Sequence, residues 1–180
     1  IGIVPAIIVE KGIVNSYEDR AVSLRSFSVK NQCDILSNQL VKERYLQNPS
    51  SVAIDSELTM LSTVYNGRIL IVDQDFRVVK DTYDIDRGKY MISEEVIRCF
   101  TDGKETSNYD RENRYIEMTV PIHTDLENDK QVAGVLLISV STEEIVASIH
   151  ILEQKGMTIL SIIMVLVVAL GYVLADILMK

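Results

Sequence analysis

The sequence is short of the groups from which active centres are made. Its 180 residues include two histidines, two cysteines and eight scattered glycines. No GxGxxG or P-loop spacing occurs, so the common phosphate cradles are missing. His123 in "PIHTD" and His150 in "SIHILEQ" stand in no metal or nucleophile motif. Cys33 and Cys99 lack CxxC spacing and a neighbouring His, which argues against a zinc site. They allow one disulfide, but two separate buried thiols are expected. No catalytic residue, cofactor or metal is therefore assigned. Basic residues are in deficit as well, 18 against 26 acidic ones, and a net charge of -8 argues against nucleic acid as a partner. No internal repeat or low-complexity linker breaks the chain.

What is present is a long apolar run at the C-terminal end. Met157 to Ala175 carries no charge, and at a helical rise it covers roughly 28 Å, about the hydrocarbon core of a bilayer. A buried core helix would keep a polar stripe, and here Thr158 and Ser161 are the clearly polar side chains before Asp176. Residues 155–180 are thus read as a transmembrane helix. Lys180 suggests an inward exit, which puts the rest outside. The run "IGIVPAIIV", Ile1 to Val9, is too short to span, and residues 1–13 are read as the end of a first span. Residues 14–154 make the folded, extracellular domain.

Within that domain, Asn15 to Asn48 has helical spacing and no Gly or Pro until Pro49. Its apolar residues form two stripes. Val22, Val29, Cys33, Leu36 and Leu40 follow a heptad-like spacing, while Tyr17, Ala21, Leu24 and Ile35 sit on a neighbouring face. One stripe covers a sheet and the other meets a partner, or both form one broad core face. A shorter helix capped by Ser50 or Ser51 follows. "RILIVD" and "RVVKDTY" read as a hairpin, Ser93 to Phe100 as a short capped helix, "YIEMTVPI" as an alternating strand, and "QVAGVLLISVS" as a strand buried on both faces. Thr142 is expected to cap the exit helix, with Gly156 a weak point in it. The fold class is α+β, with five strands.

The most distinctive polar stretch is "KDTYDIDRGKY", Lys80 to Tyr90. Asp81, Asp84 and Asp86 offer oxygen ligands to a hard cation, Tyr83, Arg87 and Tyr90 offer contacts to an anionic or amphiphilic molecule, and a plain solvated loop is the third reading.

The wording "NGRILIVDQDFRVVKDTYDIDRGK", then "SEEVIRCF", "YIEMTVPI" and "GVLLISVSTEEI", resembles the extracytoplasmic PAS-like (Cache) sensor domain of membrane sensor histidine kinases from Gram-positive bacteria, over about Val14 to Gln154. The resemblance implies a single Cache domain with a five-stranded antiparallel sheet, backed by a long N-terminal helix. Signals would pass through the second transmembrane helix to a cytoplasmic kinase and its response regulator. By position it maps a small-molecule or envelope-derived ligand to Tyr83, Arg87, Tyr90, Tyr115 and Glu117. A homodimer is expected, with Val22, Val29, Leu36 and Leu40 facing the second copy. His150 is followed by Ile151, unlike a phosphoacceptor His, so no catalysis belongs to this chain. Alternatives are an input domain of a chemoreceptor or cyclic-dinucleotide enzyme, a non-catalytic envelope protein-binding ectodomain, and an anchored hydrolase, which would need a nucleophile and base that are not seen.

Overall fold

The computed structural model describes residues 3–124 and 131–179, with side chains from Ile8 onward. The order is α1 (Ile3–Lys42), α2 (Val52–Val64), β1 (Gly67–Asp73), β2 (Val78–Asp81), α3 (Glu94–Asp102), β3 (Thr106–Asp110), β4 (Tyr115–His123), β5 (Val132–Ser141) and α4 (Glu143–Leu178). Two compact units result: Val22–Glu143, and Ile1–Ala21 with Glu144–Lys180.

The first unit is built on one antiparallel sheet of order β2-β1-β5-β4-β3. This is the expected α+β architecture with a five-stranded sheet and a long helix before it. The expected strands fall on β1, β2, β4 and β5. β3, "TSNYD", carries no apolar alternation, and it is a half-exposed edge held by pairing with β4. The residues between β4 and β5, "LENDK", read from their polarity as a turn, lie outside the described residues.

Local chemistry sets the boundaries. Arg44 takes a positive φ of 51°, and α1 closes there before Pro49 is reached. Ser51 caps α2 by accepting from the Ile54 amide at 3.5 Å. Ser93 caps α3 through the Val96 amide at 3.3 Å. Left-handed Gly103 ends α3, where a side chain would be strained. Thr142 does not cap α4 as expected. Its side chain is buried, its amide donates to the Arg114 carbonyl, and the Glu143 amide is instead accepted by Ser141 Oγ at 3.2 Å.

Each strand buries alternate residues on opposite faces of the sheet. On one face lie Ile69, Ile138 and Val140, which line a cavity of about 10 Å³ with Val29 and Cys33 of α1 and Leu61 of α2. On the other, Leu70, Val72, Val78 and Leu137 pack with Val96 of α3, and Phe76, Met91 and Phe100 close over them. The sheet explains the cysteines. Cys33 is buried on the α1 side, Cys99 bonds Thr119 on the α3 side, and both are free thiols. Burial pushes them up to about 12 and about 11.

Both stripes of α1 are present, and the one expected to face a second copy is the one this chain buries. Val22, Val29, Leu36 and Leu40, expected to face a second copy, are 7, 2, 0 and 0% exposed and belong to the core of this chain. On the neighbouring stripe Tyr17, Leu24 and Ile35 are 47, 61 and 50% exposed, and Phe27, outside the expected stripe, is exposed as well at 62%. The β-branched and leucine-rich stripe buries the larger continuous apolar surface, so it takes the sheet.

Candidate functional site

On the α3 face, strand register lines up one polar row. Arg68 of β1 pairs with Ser139 of β5, Ser139 with Glu117 of β4, and Glu117 with Asn108 of β3. Directly paired residues share a face, with Cβ atoms about 5 Å apart. The next row, Leu70, Leu137, Thr119 and Thr106, is apolar or small, and its Leu137 and Thr119 are buried where α3 packs. The preceding one contributes Tyr115 beside Ser141. Arg68, Ser139, Glu117, Tyr115 and Ser141 are all half-buried. α3 covers one end of this face and leaves a polar strip at the other.

The strip is electrostatically graded. At its β2 end, Arg68 is held by Asp81, at 2.9 Å from Nε and 2.5 Å from Nη2, and by Asp86 at 2.7 Å. The Asp81 side chain is fully buried. Besides Arg68 it accepts the amides of Tyr83, Ile85 and Asp86 at 2.8 to 2.9 Å. Burial alone would raise its proton affinity, but the Arg68 bonds and these amides outweigh it and hold the carboxyl far below the usual range. The loop after β2 is thus wound around one internal carboxylate. Asp81 has its oxygens occupied, so it is not free to be the cation ligand that its carboxylate offered.

At the other end, Glu117 has no cation against it among the described residues. Desolvation and then the nearby Glu95 of α3 raise its carboxyl above the usual value. Tyr115 is raised too, by desolvation and then by Glu117 and Asp110. With Arg68 neutralised by two aspartates, the charge left for a ligand on this strip is negative.

The expected site residues separate into two groups. Tyr115 and Glu117 lie on the strip, and Tyr83 reaches it through Arg68, whose guanidinium carbon is 6.0 Å from the ring centre. Tyr90 and Arg87 lie elsewhere. Tyr90 bridges back to Arg77, with Nη2 at 3.3 Å from its hydroxyl. Arg87 is exposed and acts electrostatically on the Tyr45 and Asp55 pair, where the buried Tyr45 hydroxyl donates to Asp55 at 2.5 Å and Lys80 adds an ion pair at 2.9 Å. Arg68, Ser139 and Glu95 were missed. The available signal was Arg68 at the head of the apolar run "RILIVD" and Ser139 interrupting the apolar run of "GVLLISVS".

The chain matches no family model and no curated protein. Among solved structures it is similar to the sensor domain of DcuS from E. coli, at 13% identity and a TM-score of 0.51, over 71% of this chain and 98% of that domain. This likeness shows the fold, a PAS-like α+β domain.

Proposed function

We propose that the chain is the signal input module of a membrane sensor histidine kinase, with the sheet unit outside the cell and α4 leading the signal inward. The observation that supports it is the PAS-like sheet whose β5 runs directly into a 36-residue helix, of which Met157 to Ala175 is free of charge. α4 is long and apolar enough to cross a membrane. In this reading a small polar ligand binds the strip at Ser139, Glu117, Tyr115 and Tyr83. Ser139 is on β5, so occupation of the strip favours one position of β5 and of the helix attached to it.

Two copies pair through the open stripe of α1, Leu24, Phe27 and Ile35, in place of the buried one. The kinase lies beyond Lys180 in this reading, and a cognate response regulator is its separate partner. The test is a chimera joining Lys180 to the cytoplasmic half of a sensor histidine kinase of known output, assayed in membrane vesicles. Phosphorylation that differs between the wild-type chimera and Glu117→Gln supports the reading. Equal phosphorylation in both, across the conditions that the host kinase answers, contradicts it.

A further inference from the structure

The second unit contains a groove of about 650 Å³ between the start of α1 and the middle of α4. Val9, Ile13, Ile159 and Ile163 make its walls apolar, and Glu10 and Lys155 bring two charges to it. Gly156 shapes the meeting point, because a Cβ there would collide with the Glu10 carboxyl. The carboxyl therefore lies against bare α4 backbone. Its Oε1 is buried with no hydrogen-bond partner. Among the described residues Lys155 has no ion pair, although Glu10 lies against the next residue, Gly156. A carboxylate oxygen packed there without a donor is costly, and Glu10 itself is half-buried on the groove wall, so a donor from outside the chain has access to its carboxylate.

The two charges mark one level. Lys155 stands just before the uncharged run of α4, and Glu10 just after the apolar Ile1 to Val9. An occupant must then be apolar along Val9, Ile159 and Ile163 and carry both charges at one end, a cation that donates hydrogen bonds and an anion. We propose that the groove holds a phospholipid with a primary-amine headgroup, its ammonium donating to Glu10, its phosphate on Lys155 and one acyl chain along the groove. A choline headgroup has no N–H to give the Glu10 carboxylate, and a glycerol headgroup has no cation.

This inference rests on reading α4 and the residues before Glu10 as membrane spans, and its test separates the two ideas. The chain contains no Trp, so one Trp reports without background. The full chain carrying Ile163→Trp, or Val165→Trp on the other side of α4, is placed in vesicles doped with acyl-brominated phosphatidylethanolamine, phosphatidylcholine or phosphatidylglycerol. Quenching at Ile163→Trp should favour the ethanolamine lipid by roughly two- to fivefold, the range of one partly exposed ion pair. Val165→Trp should show no preference, and Glu10→Gln should remove the preference at Ile163→Trp. Val9→Trp gives a second reporter if Ile163→Trp does not insert. The same lipid ratio at both faces, or equal preference for the glycerol lipid, overturns the site while leaving the spans intact. Absence of quenching by every lipid overturns the spans and the site together.

Discussion

Arg68 and Asp81 join the start of β1 to the end of β2, with Nε and Nη2 at 2.9 and 2.5 Å from the two carboxylate oxygens. The pair does more than bridge two strands, because the same carboxylate gathers three amides of the following loop. That loop carries Tyr83 to the strip, so the position of one candidate ligand contact depends on Asp81.

Replacing Asp81 with Asn leaves Arg68 short of a buried partner. The loss should be about 3 kcal/mol at neutral pH, read by urea unfolding of the detergent-solubilised chain. The pH dependence follows from the depressed carboxyl. Stability from Asp81 is fully present above its unfolded value of about 3.9 and is lost as pH falls toward the lower folded value. The gap between wild type and Asp81→Asn should therefore close in acid; a gap constant from pH 7 to pH 2 would contradict the pairing.

Glu117 should behave in the opposite sense. Its folded carboxyl is raised by desolvation and Glu95, so its contribution is most favourable below the unfolded value and is lost as pH rises through the folded one. Glu117→Gln should raise Tm at pH 7, by an amount worth under about 1 kcal/mol, and give no gain near pH 4. A side chain kept at a cost in stability is what a binding strip predicts. A lower Tm for Glu117→Gln at pH 7 would instead make Glu117 a structural acceptor.

The helix stripes should separate folding from pairing. Leu36→Ala should cost about 2 to 5 kcal/mol, since Leu36 is fully buried. Leu24→Ala, Phe27→Ala and Ile35→Ala should each stay within about 0.5 kcal/mol and lower cross-linking between copies in membranes. Cross-linking through single Cys residues on this stripe that is no stronger than on the rest of α1 would remove it as the interface.

The legible part of the fold was the part written in periodicity and punctuation. Ser51 and Ser93 caps, Gly103, and the alternation of Ile116, Met118, Val120 and Ile122 all lie where short-range rules placed them. The choice between the two α1 stripes could not be read, because either satisfies helical spacing and only the packed sheet decides which is covered. β3 has no periodic signal, since pairing with β4 rather than its own side chains makes it a strand. The candidate strip was half legible for the same reason. Tyr115 and Glu117 alternate visibly, whereas Arg68 and Ser139 join them only through register across β1 and β5. The Lys80 to Tyr90 stretch looked like one site by proximity in sequence. The ring of amides around Asp81 turns it so that Tyr83 and Tyr90 serve different neighbours.

The thiols give a direct check on the sheet. Cys33 and Cys99 lie on opposite faces and are buried, so neither should react with maleimide in the folded chain, and both should react in denaturant without prior reduction. A requirement for reductant would mean a disulfide and a different packing of α1.

Whether the strip is the input is settled most directly in the chimera by adding bulk at chosen points. Ser139→Trp fills the strip beside β5, and Thr59→Trp adds the same bulk to the exposed side of α2. Kinase phosphorylation in vesicles is the readout, with folded, membrane-inserted protein confirmed for both. If the strip is the input, Ser139→Trp holds output at one level whatever the stimulus, while Thr59→Trp follows the unsubstituted chimera. Unaltered output with Ser139→Trp, or an equal change with both substitutions, would contradict it.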